Sequence, residues 1–244
     1  MGNKFFNMGL VVFVLLLSIG ACSDDDDNGG SSGAKSPVNK LKFSASNAQE
    51  TKDTAILFYA VLSEGTNGKP DFIANGTCVT KTGGSSIHAG TIQFTLKDCP
   101  DSFFVSQNNR ISGRFSYSYN KIIFNDDRYE LTGSLTLLST SISPVDIIEI
   151  TDIRIDVSDD YNRAFNIITT TVAFGVSSSV LGGGFTVTTP MSIVTDLAKS
   201  RTPDSGELLI QGAENTKIKI TINAGTLSYS LDDGSGIFKL ITLI

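Results

Sequence analysis

Alternation with a period of two is the feature that most constrains this chain. It is clearest in Tyr129-x-Leu131-x-Gly133-x-Leu135-x-Leu137, in Ile218-x-Ile220-x-Ile222 and in Leu227-x-Tyr229-x-Leu231. Successive side chains switch faces only in an extended strand, so each run predicts a strand with one buried and one wet face. From Ile73 onward isoleucine, valine, threonine and phenylalanine dominate, the residues favoured on a pleated, half-buried surface. Turn signals separate the runs at Asn125-Asp126-Asp127, Asp159-Asp160, Gly182-Gly183-Gly184, Glu214-Asn215, Asn223-Ala224-Gly225 and Asp232-Asp233-Gly234. The spacing gives roughly ten strands, mostly joined in sequence. Between Ile150 and Ile153 the apolar parity switches, which predicts a β-bulge.

Two segments share a template 20 residues apart: Ile111-Ser-Gly113-Arg-Phe115-Ser-Tyr117 and Leu131-Thr-Gly133-Ser-Leu135-Thr-Leu137. Gly113 and Gly133 have the parity of their apolar neighbours and so belong to the buried face. Glycine there marks curvature or the close approach of another element. One helix is expected ahead of the strands. Ser46-x-x-Gln49 reads as a capping box, Ala48, Ala55, Ile56, Tyr59 and Leu62 recur at helical spacing, and Gly65 is a stop. A buried strand over 55–62 is the alternative. The expected fold is mainly β: a curved antiparallel meander, barrel or half-barrel, with one N-terminal helix packed on it. Gly236–Ile244, apolar on both faces, is expected to be a central or covered strand.

Ahead of this domain lies an address. Met1–Ala21 has one cation (Lys4), an apolar core over Leu10–Leu17 and small residues at Gly20 and Ala21, the three parts of a secretory signal. The apolar run is too short to cross a bilayer, which takes about 20 residues. Ile19-Gly20-Ala21-Cys22 resembles the lipobox of bacterial lipoproteins, in which the cysteine is acylated and the preceding peptide removed. The resemblance implies a mature chain starting at a lipid-bearing Cys22 and tied to a membrane. Ser23, where an aspartate would retain an enteric lipoprotein in the inner membrane, is compatible with the outer membrane. Ser23 to Gly33 follows, with Asp24–Asp27 at its head; like charges followed by Gly and Ser make a self-repelling tether. An acidic run directly after the acylated cysteine also resembles the export signal of surface lipoproteins in Bacteroidetes-type bacteria. A plain spacer and a calcium-attracting patch are the alternatives. The expected organisation is 1–21 signal peptide, 22–40 lipidated cysteine and tether, and 41–244 a single β-rich domain.

Removal of the leader leaves 18 cations against 25 acids, a charge of −7, and −3 when Asp24–Asp27 are set aside. A nearly neutral folded part excludes the basic stripe that nucleic-acid binding requires. Of three cysteines, Cys22 takes the lipid, and Cys78 and Cys99 are expected to pair in an oxidising compartment. A two-thiol redox site or half a zinc site are the competing readings. The spacing is unlike C-x-x-C, and the chain has a single histidine, His88.

His88 lies in a Gly/Ser-rich stretch with no nucleophile motif beside it, so it reads as a loop residue. Asp126-Asp127, Asp159-Asp160 and Asp232-Asp233 read as turn residues rather than glycosidase pairs, because aspartate bonds its own backbone in turns. The chain has no tryptophan to stack on a sugar, and Tyr117 and Tyr119, in phase with Phe115, are expected to fill the core.

From Cys78 onward the chain also resembles a group of uncharacterised β-rich envelope lipoproteins. They combine two cysteines around a glycine-bearing strand with a late segment like Pro203-Asp-Ser-Gly206-Glu-Leu-Leu-Ile210-Gln-Gly212-Ala213. Their terminal Asp/Gly turn looks fit for calcium; in Leu231-Asp232-Asp233-Gly234-Ser235-Gly236 a serine replaces an expected acid. No metal and no cofactor are therefore expected, with Asp232 and Asp233 the residual candidates. The expected function is a non-enzymatic, lipid-anchored envelope protein that binds or scaffolds at the outer membrane, facing the periplasm or the cell surface. Its partners would be the membrane, through Cys22, and an apolar ligand or another envelope protein. A carrier of lipid or apolar ligand and a surface adhesin or glycan-binding module are the alternatives.

Overall fold

A computed structural model of the chain describes residues 39–66, 77–84, 88–100, 110–122, 126–139, 146–162, 165–199 and 202–242. Residues 1–37 form one unit and 38–244 another. The leader, Cys22 and Asp24–Asp27 lie outside the described residues.

Eleven strands make one antiparallel sheet in unbroken sequence order. They are β1 (Val79–Thr82), β2 (Ala89–Pro100), β3 (Arg110–Ile122), β4 (Asp126–Ser139), β5 (Asp146–Asn162) and β6 (Phe165–Ser178). β7 (Gly183–Asp196), β8 (Ser205–Gln211), β9 (Lys217–Asn223), β10 (Thr226–Asp232) and β11 (Lys239–Ile241) complete it. The sheet curves without closing, so the half-barrel forms rather than the barrel.

The curvature has local causes. Gly113 pairs with Leu135 and Gly133 with Phe115 on β3 and β4. Both glycines have strongly positive φ, 147° and 149°. A Cβ on Gly133 would sit 2.3 Å from the Arg114 carbonyl oxygen, and one on Gly113 2.4 Å from that of Ser134. The shared template is thus a reciprocal close approach of two backbones. Bulges add to the bend: Asp98 and Asp152 take φ near 50°, and the register shifts between Leu96 and Cys99 and between Thr151 and Arg154. The second shift is the bulge that the switch at Ile150–Ile153 predicts.

Helix α1 (Ala48–Thr66) packs against β4, β5 and β6. Helix, not strand, is the outcome for 55–62. Ala48, Thr51, Ala55, Phe58 and Leu62 are buried, a period of three to four that lays one stripe on the sheet. Phe43, Ala48, Ala55, Phe58 and Leu62 share a cluster with Phe94, Phe115, Leu131 and Ile155, and burial of each large side chain contributes about 1.5–3 kcal/mol. The helix starts differently from the expected capping box. Ser44 N–H donates to Asn47 Oδ1 (2.9 Å), the Ser46 and Ser44 hydroxyls are 2.8 Å apart, and Gln49 Nε2 donates to Asp53 Oδ2 (2.8 Å).

The chain joins the sheet just before the helix. Leu41 N–H donates to the Gly184 carbonyl, Gly184 N–H to that of Asn39, and Ala213 N–H to that of Leu41, all at 2.8 Å. Residues 39–41 therefore lie between the β7 start and the β8 end. Gly183 and Gly212 make room, since a Cβ on either would meet the Asn39 or Leu41 carbonyl oxygen within 3 Å.

The sheet's two edges are short strands. The Cys78–Cys99 disulfide (Cα–Cα 5.4 Å) pins β1 to β2, aided by Lys97 N–H donating to the Cys78 carbonyl at 3.0 Å. At the other edge the expected covered strand over 236–244 is corrected. β11 has only β10 as a neighbour, and Ile237 and Leu240 are 64% and 81% exposed.

Candidate functional site

Strand register builds a polar surface that alternation alone does not reveal. On the face away from α1, Thr91, Ser118, Glu130, Asp156 and Thr171 are successive cross-strand partners on β2 to β6. Two positions along, Asn120, Arg128, Ser158 and Thr169 form a second row on β3 to β6. These rows line an open groove of about 580 Å³, to which Ala89, Gly90, Tyr119, Tyr129 and Val157 also contribute. Neighbouring strands lie about 4.8 Å apart, so adjacent side chains of a row can engage one ligand together.

Most of the residues that line the groove carry hydroxyl, amide or charged side chains. Thr91 Oγ1 and Ser118 Oγ are 3.0 Å apart. Arg154, two positions before Asp156 on β5, holds Nε 3.4 Å from Asp156 Oδ2 and 3.9 Å from Glu130 Oε1. Arg128 and Arg154 thus offset Glu130 and Asp156. Exposed pairs of this kind add little to stability, which leaves them available for recognition.

Behind the groove, on the inner face, lies a carboxyl–tyrosine cluster. Asp127 on β4 faces Asp159 on β5, and Asp126 faces Asp160. The turns expected at Asp126-Asp127 and Asp159-Asp160 are therefore corrected: the first pair opens β4, and the second lies in β5 just before its end at Asn162. Tyr129 Oη donates to Asp127 Oδ2 at 3.0 Å. Asp159 Oδ1 is buried without a hydrogen-bond partner among the described residues. Burial first, then the Asp127 and Asp160 charges, push its carboxyl above the usual range. Burial also raises the Tyr117 and Tyr129 hydroxyls; Tyr117–Tyr119 and Tyr117–Tyr129 stack at 6.0 and 6.2 Å. Tyr117 is a core residue as expected, while Tyr119 is partly buried and reaches the groove.

No family model, curated protein or solved structure matches the chain.

The residues singled out in the sequence are scattered. Cys22 lies outside the described residues. Cys78 and Cys99 form the disulfide at the β1 edge. Asp232 is buried in a turn, its Oδ1 accepting from Gly234 N–H (3.0 Å) and Gly236 N–H (2.8 Å). Asp233 Oδ1 accepts from Ser235 N–H at 3.3 Å and Oδ2 lies 3.6 Å from Lys239 Nζ; hydrogen bonds from Ser235 lower its carboxyl below the usual range. Among the described residues no three or more His, Cys, Asp or Glu are grouped to hold a metal ion. His88 is exposed immediately ahead of β2. Among the described residues, Cys78, Cys99, His88, Asp232 and Asp233 do not line the groove.

Arg128, Glu130, Asp156 and Ser158 were not anticipated. Their only sequence signal is an outward position in an alternating run, which any solvated residue shares. What separates them is cross-strand register.

Proposed function

We propose that this chain is a lipid-anchored envelope protein, held at the outer membrane through Cys22, whose β domain binds rather than catalyses. One observation carries the reading. The chain joins the domain beside Gly184, at the end of the sheet that holds Ser178 and Gly183. The groove lies seven to ten residues along β6 and β5 from that end, roughly 25–30 Å at 3.3 Å per residue. The groove and the entry of the chain thus lie toward opposite ends of β5 and β6, and residues 39–41 leave the groove uncovered. The leader, the lipobox and the tether of the sequence support the lipid anchor.

Carriage of an apolar ligand lacks comparable support. The face that would hold such a ligand is occupied by Phe43, Phe58 and Leu62, and the groove on the other face is lined mainly by hydroxyl, amide and charged residues.

The test is fractionation of cells expressing the wild-type chain and Cys22→Ala. The wild type is expected in the membrane fraction with acyl label, and Cys22→Ala without label in the soluble fraction. Retention of Cys22→Ala in the membrane overturns the anchor. A hydrolytic activity of the purified protein, lost in Asp127→Asn or Asp159→Asn, overturns the binding role.

A further inference from the structure

We infer that the groove across β2 to β6 takes an uncharged, polyhydroxylated ligand, a segment of a neutral glycan. This rests on the domain being a binding module and names what it binds. Three features exclude other ligand classes. The lining has no apolar platform of the extent that hydrophobic ligands need. Arg128 in the lining and Arg154 beside it, its Nε 3.4 Å from Asp156 Oδ2, offset Glu130 and Asp156, leaving no net positive field to attract phosphates or other polyanions. The same balance gives a cation no advantage.

What the groove offers is matched donors and acceptors. Ser118, Ser158, Thr169 and Thr171 carry hydroxyls that donate and accept, and the Asn120 amide supplies N–H donors and a carbonyl acceptor. Arg128 adds charged donors, with Glu130 and Asp156 as charged acceptors. A sugar ring presents vicinal hydroxyls that both donate and accept, the complement of this mixed array. Burying them against it leaves few polar groups unpaired, which is the costly outcome in polar recognition. The rows also run across the strands, at a repeat of about 4.8 Å. Successive hexose units of an extended chain advance by a similar step, so each strand meets one unit. A volume near 580 Å³ has room for a short oligosaccharide.

The test uses the mature full chain, purified in detergent, on an array of neutral oligosaccharides, with uronic-acid oligosaccharides and a single-stranded oligonucleotide alongside. At least one neutral oligosaccharide is expected to be retained, and neither anionic class. Asn120→Ala removes one amide from an exposed position, and Ser158→Tyr fills the groove from a strand position suited to tyrosine. Each is expected to weaken retention by about tenfold or more, with the thermal midpoint of Asn120→Ala unchanged. Retention of no neutral oligosaccharide overturns the inference, as does equal retention by wild type and Asn120→Ala together with Ser158→Tyr. Binding confined to the anionic probes overturns the ligand class. Fractionation of Cys22→Ala is read separately, so an empty array with an intact anchor removes the glycan and leaves the anchored protein standing.

Discussion

Single atoms decide the shape of this sheet. A Cβ on Gly133 would lie 2.3 Å from the Arg114 carbonyl oxygen and 2.6 Å from the Phe115 Cα, both backbone atoms that cannot swing aside. Gly133→Ala is expected to cost about 3 kcal/mol in urea unfolding, from overpacking together with a positive φ. Gly182→Ala, at φ 67° but with nothing within 4 Å of its Cβ, should cost about 1 kcal/mol. The parity of Gly113 and Gly133 made their face legible in the sequence, because apolar neighbours two residues away share it. Asp159 was misread, since Asp-Asp is a turn signal wherever the strand's continuation is not yet known. Its true position gives a pH signature. The folded state holds the Asp159 proton more tightly than the unfolded chain does, whose carboxyl keeps the ordinary value of 3.8. Folded protein therefore binds more protons just above that value, and its stability falls as pH rises until Asp159 is ionised in both states. Asp159→Asn removes a carboxylate facing Asp127 and should raise neutral-pH stability by about 1 kcal/mol. It should also flatten that decline in thermal melts recorded across the acidic range.

The elements differ in how they are held. β1 has four residues and one neighbour, too little to stay paired by its own hydrogen bonds. The Cys78–Cys99 bridge ties it down, and closing a loop with a sequence separation of 21 contributes about 3 kcal/mol through the unfolded chain. The Cys78→Ser/Cys99→Ser double variant should lose about that much in urea unfolding. Amides of β1 should exchange faster than those of β5, because the released edge opens first. An unchanged exchange rate at Thr80 and Thr82 would mean that the bridge does not hold the strand. Helix α1 depends instead on tertiary packing, and its spacing was readable for that reason. Its start was not readable, because Ser46 and Gln49 fit a capping box whose bonds Asn47 and Asp53 take in the fold. β11 shows the limit of apolar content as a guide. Ile237 and Leu240 are as hydrophobic as core residues yet exposed, because burial depends on whether a neighbour exists beyond the edge.

Over the whole domain, what the sequence could not deliver was register. The alternating runs set which residues face outward, but Arg128 becomes a neighbour of Ser158, and Glu130 of Asp156, only once β4 and β5 are aligned. A shift of one residue would move each set to the opposite face. The groove is therefore a property of the assembled meander, while the proposed anchor rests on a linear string of residues. Both meet in the question of which side of the membrane the groove faces. Asp24–Asp27 follow Cys22 closely and precede a Gly/Ser stretch, the placement that resembles a surface-export signal. Changing all four to asparagine removes the charge while keeping side-chain size and tether length. If they direct export, protease added to intact cells digests the wild-type domain and spares the Asp24–Asp27→Asn variant, which becomes cleavable only after the outer membrane is opened. Membrane fractionation should find both variants equally anchored, since Cys22 is untouched. Equal digestion of both on intact cells would reduce the acidic run to a spacer. Protection of both would place the groove in the periplasm, where its glycan would have to be one of the envelope's own.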